Sequence, residues 1–235
     1  MKEREKERAV VLVSGGMDSL VTLAIANEKY GQDNIFMLHL NYGQRTESKE
    51  LQCFKEIVKH YKIPKSRRKI IDMSFLKEIG GSSLTDKKMK VTPFKGDKRK
   101  SKSIIPSSYV PFRNTIILSL AVAYAEVICA KKIYIGAVYE DSSGYPDCRP
   151  KYYKAINKVI QEGTKFTGIE VLTPVIYLSK DKIIAEGIRL KAPFKLSWSC
   201  YKSEKIACGV CDSCVLRLRA FDRAGVLDPI QYMKN

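Results

Sequence analysis

The sequence predicts an α/β fold in which a parallel sheet carries helices on both faces, followed by a small cysteine-rich C-terminal appendage. Three observations lead there. Short, β-branched apolar runs alternate with segments of helical period along the first 190 residues or so. A joint of glycines and hydroxyls, Ser14-Gly15-Gly16-Met17-Asp18-Ser19, follows directly on the first apolar run. Beyond about residue 195 the pattern changes, and four of the seven cysteines fall within fifteen residues.

Residues 9–13, AVVLV, read as a buried strand, and 20–30 as a helix stopped by Gly31. Residues 35–40 are a second strand and 47–61 a second helix that closes before Pro64. A third strand is expected at 68–71. Residues 114–129 have the apolar density of a buried helix, and 132–137, KIYIGA, that of another strand. A helix at 152–162, a strand end at 171–174 and a helix at 180–190 complete the series. Strands buried on both faces read as continuous apolar runs, and ligands of such sheets sit at the carboxyl ends of the strands. The division expected is an α/β domain over 1–194 and a region over 195–235 packed on it.

The 235 residues carry 45% hydrophobic and 29% charged side chains, which fits a folded domain with a sizeable core. No apolar run reaches the length of a membrane span, and residues 1–8 mix both signs of charge without the apolar segment of a signal peptide, so a cytoplasmic protein is expected. The net charge of +17 raises a nucleic-acid reading. Much of it is local: residues 86–103 hold eight lysines or arginines against two aspartates. With Phe94 as its sole aromatic, that stretch reads as a solvated loop. Nucleic-acid contact is therefore possible without being expected for activity.

At the end of a strand, the 14–19 joint places backbone N–H groups and a helix N-terminus where they can bind phosphate. Glycines let the backbone approach a ligand, and Ser14 and Ser19 add hydroxyls. Asp18 would repel phosphate unless a cation such as magnesium lies between. A tight turn capped by Asp18 or Ser19 is the plainer alternative. The string lacks the endings of a Walker A loop and of a dinucleotide-binding turn. Ser-Gly-Gly-x-Asp-Ser after a strand resembles the PP-loop of the ATP pyrophosphatases, whose fold is adenine nucleotide alpha hydrolase-like. The resemblance implies that Val13, Ser14, Gly15, Gly16, Met17, Asp18, Ser19 and Leu20 hold the pyrophosphate end of ATP.

Cys200, Cys208, Cys211 and Cys214, spaced x7, x2 and x2, can close a tetrahedral thiolate shell, so one structural zinc ion is expected; an iron–sulfur cluster is the competing metal. An odd cysteine count argues against a disulfide framework. Cys53, Cys129 and Cys148 read as small apolar groups.

Between these anchors stand NYGQR (41–45), YVPFRN (109–114), SSGYPDCR (142–149) and LTPVIYLSKDKI (172–183). In this order, with the loop and the cysteine knuckle, they resemble the 7-cyano-7-deazaguanine synthase family over residues 13–221. The resemblance implies a C–N bond-forming ligase of queuosine or archaeosine biosynthesis. In it 7-carboxy-7-deazaguanine, ammonia and ATP yield 7-cyano-7-deazaguanine through an acyl adenylate, an amide and a second adenylation. It implies catalytic roles for Asp18, Ser19 and Lys180, the last where the family has a lysine after Thr-Pro. A flat purine-like substrate wants stacking faces and edge-reading hydrogen bonds. Tyr42, Gln44, Arg113, Asn114, Tyr145, Asp147 and Arg149 are the candidates, with Asp147 on the N–H edge and Arg113 or Arg149 on the carboxylate. Those prolines and glycines can also simply shape turns.

Three positions depart from the family: Phe112 where glycine or alanine is usual, Ser142 where an aromatic is usual, and Thr46 where histidine often stands. Phe112 is expected to fill part of a pocket and Ser142 to vacate volume. Competing readings are adenylation of another acceptor, such as tRNA or protein, and a nucleic-acid module built on the zinc knuckle. A homodimer is the expectation for the assembly.

Overall fold

The computed structural model describes residues 7–90, 105–139 and 145–233. Its centre is β1 (Ala9–Leu12), flanked in parallel by β2 (Ile35–Asn41) and β4 (Lys132–Tyr134). The edges are β3 (Arg68–Asp72) and β5 (Glu170–Leu172), giving the order β3-β2-β1-β4-β5. Ala9 sits in register with Ile35 on one side and Lys132 on the other. The chain therefore moves outward from β1 through β2 to β3 and then crosses to β4. Helices leaving β1 and β4 diverge at that reversal, which opens a crevice at the carboxyl ends of the two strands.

Burial on both faces explains the unbroken apolar runs. Ala9, Val11 and Val13 pack with α1 (Met17–Tyr30), α2 (Glu47–His60) and α6 (Lys180–Arg189). Val10 and Leu12 face the opposite layer, with α4 (Arg113–Val127) and α5 (Pro150–Gly163). Leu20, Val21 and Leu23 are fully buried, each stabilising the fold by about 1.5–3 kcal/mol. At the edge, β3 exposes Lys69 and Ile70, the charged neighbours discouraging pairing with another sheet.

Several boundaries differ from the sequence expectation. α1 begins at Met17, because Gly16 takes the extended N-cap conformation and the helix incorporates Asp18 and Ser19. β4 stops at Tyr134, short of 137, where the chain runs close under the loop that follows β1. The short α3 (Phe75–Ile79) was not foreseen, nor was α7 (Asp212–Arg223) in the tail. α7 brings Ala220 and Phe221 into the layer of α1 and α6. Its Arg217 is wholly buried and bonds Asp228 through Nε (2.8 Å) and Nη2 (3.0 Å). The same guanidinium donates to Ser197 Oγ at 2.9 Å.

Cys53 and Cys148 are buried, but Cys129 is exposed on a left-handed turn after α4, a correction to its reading as a packed group. Ser142 and most of the basic stretch lie outside the described residues. Among the described residues no helix is long and apolar enough to cross a membrane.

Candidate active site

The joint after β1 is held by its own hydroxyls and by the tail. Ser19 Oγ donates to Gly16 O (2.9 Å) and accepts the Ser14 N–H (3.2 Å), while Ser14 Oγ accepts the Gly16 N–H (3.2 Å). Gly15 has φ +88°, and a Cβ there would lie 2.7 Å from Glu50 O, so this position takes only glycine. The Trp198 N–H donates to Gly15 O at 2.8 Å, tying the tail to the loop. Gly136 fits from the β4 side, where a Cβ would stand 2.8 Å from Asp18 C and O and from Ser19 N. The first-turn N–H groups of α1 lack intrahelical acceptors and face the crevice.

Lys180, the first residue of α6, reaches across the crevice to Asp18 Oδ2 at 2.6 Å. The other oxygen, Asp18 Oδ1, is buried without a hydrogen-bond partner among the described residues. A half-buried carboxylate with one lysine and one unsatisfied oxygen, beside a helix N-terminus, fits a group that would hold a cation next to phosphate.

The far end of the crevice is aromatic and basic. Arg113 Nη1 donates to Tyr42 Oη (3.0 Å), its guanidinium lies 5.1 Å from the Tyr42 ring centre, and its buried Nε has no partner among the described residues. Tyr145 Oη shares a 2.6 Å hydrogen bond with Ser108 Oγ. Burial pushes the Tyr42 phenol up to about 12. Between the two ends stands Glu50: Gln44 Nε2 donates to Oε2 (3.0 Å) and Thr46 Oγ1 to Oε1 (2.8 Å). Burial raises its carboxyl to about 7 against those hydrogen bonds, which favour the charged form. A cavity of about 340 Å³ connects these groups, in the range of small-ligand sites.

Cys200, Cys208, Cys211 and Cys214 are buried, and their sulfurs lie within 4.8 Å of one another. The separation suits tetrahedral thiolate coordination, in which sulfur–metal bonds of about 2.3 Å bring the ligands to such spacing. N–H groups of Lys202 (3.3 Å) and Cys208 (3.4 Å) point at Cys200 Sγ, as donors to a ligating thiolate. Cys200 also lines the cavity, so the cluster braces its wall.

The family model described as "Queuosine biosynthesis protein QueC" matches residues 8–225. The chain belongs to this family. Relatives named 7-cyano-7-deazaguanine synthase, from Chlorobium phaeobacteroides and Chloroherpeton thalassium, are each 58% identical over 226 residues, covering 96% of both chains. Among solved structures, the U34-tRNA thiolase NcsA from Methanococcus maripaludis superposes with a TM-score of 0.51 at 17% identity, over 94% of this chain and 66% of its own; the likeness is one of fold.

Of the residues singled out from the sequence, this QueC-family chain gathers Val13, Ser14, Gly16, Met17, Asp18, Ser19, Lys180, Tyr42, Arg113, Asn114 and Tyr145 around one cavity. Gly15 and Leu20 lie behind it. Gln44 is turned to Glu50 and to the Tyr42 N–H (2.9 Å). Asp147 Oδ2 accepts the Asn114 N–H at the start of α4 (3.2 Å), and burial raises its carboxyl above the usual range. Arg149 caps α5 and does not line the cavity.

Phe112 does not fill the pocket as expected. It is 60% exposed, with φ +56° at the N-cap of α4, a left-handed conformation that glycine adopts without strain and a Phe does not. Sequence reasoning missed Glu50, Ser108, Trp198 and Tyr201, all on the cavity wall. Glu50 stands four residues after Thr46, among charged neighbours that hide it in the sequence; Trp198 and Tyr201 flank the first cysteine.

Proposed function

We propose that the chain is an ATP-dependent 7-cyano-7-deazaguanine synthase, a C–N bond-forming ligase that converts 7-carboxy-7-deazaguanine and ammonia to the nitrile. The observation that carries this reading is the single cavity joining the Asp18–Lys180 pair to the Arg113–Tyr42–Tyr145 end, in a chain so similar to curated synthases. Both ends are needed: one for a leaving pyrophosphate, the other for a flat acid.

At the loop end, the α1 N-terminus, Ser14 and Lys180 stabilise the charge that develops on pyrophosphate as the substrate carboxylate attacks the α-phosphorus. Asp18 would hold magnesium, which supplies charge neutralisation along the phosphates. At the other end, the Arg113 guanidinium orients the substrate carboxylate, and Tyr42 and Tyr145 offer ring faces to the bicyclic base. Cys200, Cys208, Cys211 and Cys214 would hold a zinc ion, and with four thiolate ligands its contribution would be structural. Queuosine or archaeosine synthesis would consume the product.

Acid-dependent pyrophosphate release tests the reading. It is expected with 7-carboxy-7-deazaguanine present, and to fall about 10²–10³-fold in Lys180→Met with the fold intact. Release that ignores the acid, or appears only with tRNA added, would replace it with adenylation of another acceptor.

A further inference from the structure

Forming an amide from ammonia and an activated acid leaves a surplus proton on nitrogen, and this protein must provide somewhere for it to go. We propose that Glu50 is the base that takes that proton, as ammonia adds to the activated carboxyl carbon. The inference rests on the synthase reading above.

The cavity wall narrows the choice. Its carboxylates are Asp18, Glu50 and Asp212. Asp18 Oδ2 is already engaged by the Lys180 ammonium at 2.6 Å, at the phosphate end of the crevice. Asp212 adjoins the cysteine cluster at the start of α7. Glu50 is held by two neutral donors, Gln44 and Thr46, which fix both oxygens while leaving them able to accept a proton.

The other groups with suitable chemistry are unsuited as bases. Burial pushes Tyr42 to about 12 and the Cys148 thiol to about 11, so both stay protonated near neutral pH. His39 is fully buried under the sheet, between Val13 O and Asn41 Oδ1.

Position agrees with chemistry. The backbone of Glu50 abuts Gly15 of the phosphate loop, and Gln44, which orients its carboxylate, also holds the N–H of Tyr42 at the opposite end. An acyl carbon bound to the α-phosphate has to lie between those ends. The N–C bond forms, the N–H proton passes to a Glu50 oxygen, the carbonyl re-forms and the C–O bond to AMP breaks with its electron pair on the phosphate. Glu50 then returns the proton to water. After the second adenylation the remaining N–H protons leave by the same route as the nitrile forms. A raised carboxyl suits this work, since a base is most effective when it titrates near the working pH.

Glu50→Gln is the test, read with the acid, ATP and ammonium in the full chain; it keeps the size, the amide oxygen accepts from Gln44, and the Thr46 hydroxyl can turn to accept from the amide nitrogen. Acid-dependent exchange of labelled pyrophosphate into ATP is expected within about threefold of the unmutated protein, reporting an intact loop and activation step. Amide formation is expected to fall about 10²–10⁴-fold. With free ammonia held constant, the unmutated rate should climb with pH and level off above about 7, as the carboxylate form fills; the variant should lack that limb and Glu50→Asp keep it. Hydroxylamine, which sheds its proton more readily, should restore acyl transfer in Glu50→Gln. Amide formation near the unmutated rate, an unchanged pH limb, or loss of exchange along with amide formation would overturn the assignment. Absence of acid-dependent exchange in the unmutated protein would instead remove the synthase reading itself.

Discussion

Arg217→Ala should weaken the whole tail and, through it, the phosphate loop. The guanidinium has no solvent exposure and makes a two-pronged bond to Asp228, itself nearly buried at 4% side-chain exposure. It also donates to the Ser197 hydroxyl, next to Trp198, whose N–H holds Gly15 O. Removing one member of a buried pair leaves the other charge uncompensated, at a cost of about 3–5 kcal/mol. Against a total stability of about 5–15 kcal/mol, this is a large fraction. With a urea slope of about 2–3 kcal/mol per molar, the unfolding midpoint should fall by about 1–2 M. Fluorescence of Trp198, the single tryptophan, reads the transition at the affected place. The paired change Arg217→Met with Asp228→Leu should recover at least half of the loss, because no orphaned charge remains. A midpoint for Arg217→Ala within about 0.3 M of the unmutated protein would refute the reasoning.

Gly136→Ala should cut ATP turnover more than it cuts stability, since the new methyl would press on Asp18 and Ser19 backbone atoms from 2.8 Å; turnover at the normal rate would count against that contact. Phe112→Gly should raise the unfolding free energy by about 1 kcal/mol in a denaturant titration, by relieving left-handed strain at an exposed side chain. Metal analysis should find about one zinc per chain, and its chelation should expose Trp198 and suppress ATP turnover together, because the cysteine cluster and the loop share that residue. Glu50→Gln should stabilise the ligand-free protein at pH 8 relative to pH 5. The raised folded pKa means that the unmutated protein loses stability as pH climbs from 4.5 through about 7, by at most about 3 kcal/mol, with water in the open cavity reducing the figure. Thermal melts at the two pH values check the sign.

The parts of the site legible in the sequence are those whose chemistry is local. The glycines, hydroxyls and aspartate at 14–19 follow directly on a strand, and four cysteines sit on two tight turns, so their backbone context travels with them. Lys180 and Arg113 were legible through their neighbours Ser179-Lys180-Asp181 and Phe112-Arg113-Asn114, although the partner of each, Asp18 and Tyr42, lies far away in the chain.

What was not legible depends on burial. Glu50 sits among charged residues in ESKELQ, and only the fold removes it from water and turns it to the cavity. Arg217 looks like one more cation in VLRLR until Asp228 closes over it. Asp147 has the composition of a ligand reader, yet one of its oxygens goes to the α4 backbone. A bulky Phe112 invites a pocket-filling role, whereas its φ sends it outward. The α/β order survived these surprises because it rests on many apolar positions at once.

The most direct test of the central claim is mass spectrometry of the products formed from 7-carboxy-7-deazaguanine, ATP, magnesium and heavy-nitrogen ammonium, with Asp18→Ala as the control. The account predicts a 7-cyano product carrying the heavy nitrogen in its nitrile, with AMP and pyrophosphate, and none of these with the control. AMP without labelled nitrile, or an untouched acid, would contradict it.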